Sequence, residues 1–220
     1  MRKKLSLQIT KSVAGLAICA FGAYLTVVAN IGMSPWDALS MAVSCHLPVS
    51  YGVASVCISL LVVLADILLH EPIGLSTFFD AFLVGTITDV FLHWDPLPRC
   101  HSLGWGALIM CGAMLVISTG QWLYMAAGLG CGPRDALLVG IGKRLRKLPI
   151  GVVNALVLVV VIGLGLLLKG PIGIGTAITV CTWSSAMQLV FRIVKFEPRD
   201  VSHENVLESV AKWSQKSLQK

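Results

Sequence analysis

The sequence predicts an all-α protein of the membrane. The expected architecture is a polytopic helical bundle of two tandem repeats, with six long transmembrane helices and two short half-helices. Three observations carry this. First, the 220 residues are 56% hydrophobic and 13% charged, with a mean hydropathy of +0.83. A soluble domain carries about 25% charged residues, so this chain lacks the polar surface to cover a water-soluble globule. Second, apolar runs long enough to cross hydrocarbon, about 18 residues or more, recur along its whole length. Third, a G-x-x-P-x-D-A-L motif occurs twice.

In chain order, residues 1–11 form a basic N-terminus holding Arg2, Lys3, Lys4 and Lys11. It has no small-residue cleavage site, and the run behind it is long, so it reads as the approach to a first membrane helix rather than a removed leader. The first membrane repeat covers 12–95. It contains a long run at 12–29, the motif, a short apolar stretch at 37–47, and runs at 51–69 and 75–92. The second repeat covers 103–195, with a long run at 103–127, the motif, a stretch at 135–142, and runs at 150–168 and 174–194. Residues 196–220 form a cytoplasmic tail. There Val206, Val210 and Trp213 follow a 3–4 spacing, so the tail reads either as an amphipathic helix on the inner leaflet or as a solvated end.

Asn30 to Leu39 and Gly128 to Leu137 share five positions: Gly32/Gly130, Pro35/Pro133, Asp37/Asp135, Ala38/Ala136 and Leu39/Leu137. The agreement continues in Leu47-Pro48 with Leu148-Pro149, in Gly52-Val53 with Gly151-Val152, in Pro72-Ile73-Gly74 with Pro171-Ile172-Gly173, and in Thr77 with Thr176. Matched motifs in matched surroundings point to a duplication.

Each motif reads as a helix start. Ser34 is the expected N-cap, Pro35 sits at N1, where its missing N–H is no loss, and Asp37 falls at N3, where a carboxylate can complete a capping box. Gly132, Pro133 and Asp135 repeat the pattern. That alone explains the residues without any function. The functional reading comes from position: interrupted apolar segments at matching places in two halves point to a transporter site, and half-helix N-termini offer free N–H groups to a ligand. The candidate binding residues are therefore Gly32, Ser34, Pro35, Trp36, Asp37, Gly130, Gly132, Pro133, Arg134 and Asp135. Arg134, opposite Trp36 in the other copy, can pair with either aspartate or hold an anion.

Charge sets the topology. Besides the N-terminus, Lys143, Arg144, Arg146 and Lys147 form one block and Arg192, Lys195 and Arg199 another. These flank apolar runs rather than forming a basic face, so they read as positive-inside determinants and not as a nucleic-acid site. Both termini are expected in the cytoplasm of a bacterial plasma membrane. The same charge count fits six or eight spans. Length favours six, and three crossings per half would invert one repeat relative to the other.

Asp80 and Asp89 lie in the run 75–92. Asp80, nearer the centre, is the proton-coupling candidate, because an ionisable group at depth is costly. Asp89 is expected near the interface, and Asp66 is expected to snorkel from its helix end. Asn30, Gln121 and Asn154 read as polar glue between helices. The seven cysteines show no C-x-x-C pattern and read as packing residues, with neither a disulfide framework nor a metal site. No catalytic motif occurs, so no catalytic residue, metal or cofactor is expected.

G-M-S-P-W-D-A-L at 32–39, the second copy from Gly130 to Asp135, and the later P-I-G-x-x-T resemble the YczE/YyaS/YitT family of bacterial inner-membrane proteins. The resemblance covers most of residues 10–195. It implies a multi-pass plasma-membrane protein and brings no catalytic residues with it. The expected function is that of a permease for a small polar or anionic solute, with the lipid bilayer as its surroundings and no enzymatic activity. The alternative is a membrane scaffold or regulator that docks a cytoplasmic protein partner through the Lys143–Lys147 loop and the tail.

Overall fold

The computed structural model describes residues 2–71 and 73–196. Among them there is no strand. Eight helices follow one another: α1 (Arg2–Ala29), α2 (Pro35–His46), α3 (Tyr51–Leu68), α4 (Leu75–Trp94), α5 (Leu103–Met125), α6 (Pro133–Arg144), α7 (Ile150–Leu167) and α8 (Ile174–Ile193). Among the described residues, five segments are long and apolar enough to cross a bilayer: Ser6–Ala29, Tyr51–Leu68, Leu75–Trp94, Leu103–Met125 and Ile174–Ile193. The run expected as a further long span is the shorter apolar helix α7, whose 18 residues rise about 27 Å at 1.5 Å each. The 12 residues of α2 and of α6 rise only about 18 Å on the same basis, well short of a roughly 30 Å hydrocarbon core.

Helix α1 takes in the basic segment ahead of the apolar run and begins at Arg2. No Gly or Pro interrupts the stretch, and Gln8 Nε2 donates to Ala127 O at 2.9 Å, tying this first part of α1 to the end of α5. The tail expected as an amphipathic helix lies outside the described residues from 197 onward.

The centre of the fold is the α1–α5 pair. Gly15 lies against Gly120 and Tyr124, Gly22 against Ala113 and Ile117, and Gly106 against Ala29 and Ile31. Rising numbers on one helix meet falling numbers on the other, so the two are antiparallel. Small residues let the backbones approach closely, as membrane helices require when lipid tails are as apolar as the side chains. Leu16, Met110 and Met114 are fully buried around this seam. Helix α4 runs parallel to α1, through the Ser12–Ser76 hydroxyl pair at 2.9 Å, Thr88 Oγ1 donating to Ala20 O at 3.3 Å, and Tyr24 OH donating to Asp95 Oδ1 at 3.0 Å. Helix α8 packs on α5 in the corresponding place. The two short helices each rest on α3 and α7. Leucines and valines on the outer faces of α3 and α7, among them Leu61, Leu68, Val159 and Leu167, are exposed, as a lipid-facing surface requires.

One acidic residue is not where the sequence places it. Asp66 does not snorkel: it is 0% exposed, and neither carboxylate oxygen has a hydrogen-bond partner among the described residues. The chain after α3 turns back beneath it, with Glu71 N bonding Asp66 O at 2.9 Å, and Gly140 of α6 closes over Leu69 and Glu71. Asp89 of α4 accepts from Gly52 N at 3.1 Å. It sits at the free amide end of α3, where a carboxylate is favoured.

The glycine seam gives a contrast that can be measured. A Cβ on Gly120 would stand 2.5 Å from Gly15 O and 2.6 Å from Cys19 Sγ, whereas one on Gly112 meets nothing within 4 Å. Gly120→Leu is expected to destabilise by about 3 kcal/mol or more, and to lose the monodisperse peak in fluorescence-detected size exclusion. Gly112→Leu is expected to stay within about 0.5 kcal/mol of the parent.

Candidate functional site

The two motifs are sharp turns. Gly32 and Gly130 have φ of +115° and +116°, a left-handed backbone that residues with a Cβ rarely adopt. Space excludes a side chain as well. A Cβ on Gly32 would stand 2.7 Å from Gly173 N, and one on Gly130 would stand 2.6 Å from Gly74 Cα. Each turn in one half is thus pressed against the start of the last helix in the other half.

The hydrogen bonds are exchanged in the same way. Gly175 N donates to Ile31 O at 2.7 Å, and Ser76 N donates to Leu129 O at 2.9 Å. Thr176 Oγ1 donates to Met33 O at 2.7 Å, and Thr77 Oγ1 donates to Cys131 O at 2.6 Å. Both threonine hydroxyls also accept an amide, from Gly173 and Gly74 respectively, at 3.2 Å. Each hydroxyl therefore closes its own helix start and seals the opposite turn. Residues Thr77 and Thr176, noticed in the sequence only as matching positions, are the fasteners of the site.

From these turns α2 and α6 begin as expected, with Ser34 and Gly132 as N-caps and a proline at the first position. The capping differs in detail. Asp37 does not reach back to the Ser34 amide. It accepts the Ser34 hydroxyl at 2.6 Å, while Ser34 Oγ accepts Asp37 N at 3.4 Å. Tyr51 OH donates to Asp37 Oδ1 at 3.2 Å. In the second copy Gly132 has no side chain to offer, and Tyr124 OH donates to Asp135 Oδ2 at 3.3 Å instead. Arg134 bridges the copies: Nη1 lies 3.7 Å from Asp37 Oδ1, and its guanidinium lies 5.3 Å from the centre of the Trp36 ring.

Between the two helix starts lies a cavity of about 190 Å³. Ser34, Pro35, Trp36, Asp37, Gly132, Arg134 and Asp135 all line it, as does Asp80 from α4. Gly32 and Gly130 form the turns behind it, and Pro133 is fully buried at the start of α6. The remaining wall was not legible as a site in the sequence. It includes Cys19, Gln121, Tyr124, Asn154, Thr179 and Trp183. Thr179 is the counterpart of Asp80, so the two halves face one another here with different chemistry. Gln121 is only 9% exposed and its Oε1 has no hydrogen-bond partner among the described residues, which does not fit a role as helix glue. Among the described residues no cluster of three or more His, Cys, Asp or Glu is placed to hold a metal ion.

Long apolar helices around an interior polar cavity define a multi-pass helical membrane protein. Residues 7–192 match the family of unknown function DUF6198, and the chain belongs to that family. It is 30% identical over 184 residues to the uncharacterized membrane protein YczE of Bacillus subtilis (strain 168), covering 81% of this chain and 83% of that one. It is 30% identical over 184 residues to the uncharacterized protein YyaS of the same organism, covering 82% and 90%. An uncharacterized protein of Haemophilus influenzae is 31% identical over 180 residues, covering 81% of each. The resemblance to YczE and YyaS seen in the motifs therefore extends along the chain. No solved structure matches it.

The threonine fasteners make a paired prediction. Thr77→Val and Thr176→Val each remove a donor from a buried carbonyl and an acceptor from a glycine amide. Each is expected to cost about 1–3 kcal/mol, with similar drops in melting temperature in detergent. A loss in one variant alone would show that the two turns are not held alike.

Proposed function

We propose that this protein is a permease for a small polar solute, bound between the starts of α2 and α6. The observation that carries the reading is the interior cavity lined by both motifs, with mid-helix residues of α1, α7 and α8 around it. Irregular backbone inside a membrane protein is tolerated where it is buried in protein or lines a wet cavity, and here it does both. The volume is below the roughly 300–1,000 Å³ of drug-sized pockets, so the solute is small. No reactive constellation accompanies it, and we read the protein as a binder and carrier rather than an enzyme.

On this reading α2 and α6 are half-helices, the chain crosses six times, and the two halves are inverted repeats in a bacterial plasma membrane with both termini cytoplasmic. The antiparallel packing of α1 and α5, the first long helix of each half, supports the inversion. Asp80, facing the cavity beside Gly132, is the residue to which we assign proton coupling. The scaffold alternative draws less support. Three of the four cations in its docking loop are engaged internally: Lys143 Nζ lies 2.6 Å from Glu71 Oε2, Arg144 Nη2 donates to Leu69 O at 3.1 Å, and Arg146 Nε donates to Lys143 O at 3.2 Å.

A carrier must open its site to each side in turn. A single cysteine at Ser184→Cys, in an otherwise cysteine-free protein, is expected to react with a membrane-impermeant maleimide in both right-side-out and inverted vesicles. Reaction from one side only, or from neither, would remove the carrier reading.

A further inference from the structure

The class of solute follows from the charge and hydrogen-bonding state of the cavity wall. This step rests on the reading of the cavity as a solute site. Asp37, Asp80 and Asp135 bring three carboxylates and Arg134 a single guanidinium. The starts of α2 and α6 each add roughly half a positive charge. With all three carboxylates ionised the sum is about −1, so a monovalent cation brings the cavity close to neutral.

The hydrogen-bonding inventory points the same way. Arg134, the group that could hold an anion, is already compensated by Asp37 at 3.7 Å and stacked on Trp36 at 5.3 Å. The Asp37 carboxylate is held by Ser34 and Tyr51, and one oxygen of Asp135 is held by Tyr124. Two acceptors on the wall stand out: the Asp80 carboxylate lines the cavity, and the buried Oε1 of Gln121 has no hydrogen-bond partner among the described residues. An ammonium ion carries three N–H donors and no lone pair, and one such ion can donate to both acceptors at once. Val157, Leu158, Val180 and Trp183 complete the wall. They offer an apolar bed for a short hydrocarbon tail, and Trp183 offers an aromatic face of the kind that attracts cations. We propose that the cavity binds a small primary ammonium ion, with its nitrogen between Asp80 and Gln121 and its tail against Trp183.

The test uses the purified full-length protein in detergent and isothermal titration with n-butylammonium and with butyrate, which match in size and differ in charge. Butylammonium is expected to bind at least tenfold more tightly than butyrate. Asp80→Asn is expected to weaken it by about 10- to 100-fold, the range of a charge-assisted hydrogen bond. Val180→Trp, which fills the cavity without touching a charge, is expected to abolish binding, and covers the case in which Asp80→Asn fails to fold. Butyrate binding as tightly as butylammonium overturns the proposal. So does butylammonium affinity unchanged in both variants, and so does no binding of either probe. In those cases the vesicle labelling of Ser184→Cys reports separately whether the cavity still serves as a carrier site.

Discussion

The structure depends on one constraint: a chain broken inside a helical membrane protein must have every freed backbone group taken up by the protein itself. Two breaks occur, at Ile31–Ser34 and Leu129–Gly132, and neither is repaired by its own half. Ile31 and Met33 carbonyls are capped from the start of α8, while Leu129 and Cys131 carbonyls are capped from the start of α4. The Met33 amide is taken by Pro171 O at 3.0 Å. The glycine contacts follow from this exchange, since only a backbone without Cβ lets the turn and the helix start come near enough to bond. The antiparallel α1–α5 seam sets the two exchanges at its opposite ends, with Ala29 beside Gly106 at one and Gln8 beside Ala127 at the other.

Once the breaks are sealed from outside, their inner faces are released for other work. The helix starts at Pro35 and Pro133 line a common space, with a carboxylate near each. The halves are alike in how they hold this space and unlike in what they put into it. Trp36 answers Arg134, Ser34 answers Gly132, and Asp80 answers Thr179. Shared residues make the frame and divergent residues make the chemistry, so the charge at the centre is not the symmetrical one that two equal motifs would give.

Much of the frame was legible from periodicity and length. Eight apolar segments, two of them too short to cross, can be counted in the sequence, and proline with aspartate two residues later marks each short helix start. The boundaries of α2 and α6 fall as the capping chemistry demands. Other features depend on partners distant in the chain, which local pattern does not encode. Gln121 and Asn154 read as glue because nothing nearby in sequence shows that a cavity faces them. Asp66 reads as snorkelling because its distance from the helix end is visible, while the turn through His70 and Glu71 that covers it is not. Tyr51 and Tyr124 occupy unrelated places in the two halves, yet each donates to a motif aspartate, so no comparison of the copies could have paired them.

The fasteners also set an order on biogenesis. Thr77 and Cys131 are 54 residues apart, and Thr176 and Met33 are 143 apart. A nascent chain that has inserted α1 through α4 holds both of its own contributions, the first turn and the first threonine, with nothing to bind. The second turn is sealed as soon as α5 and residue 131 emerge, but the first stays unsealed until α8 leaves the ribosome. For most of its synthesis the polypeptide therefore keeps a bare carbonyl at Met33, a liability for the insertion machinery to shield. A chain terminated before α8 would be left with one locked turn and one open one, a half-latched product for membrane proteases to find.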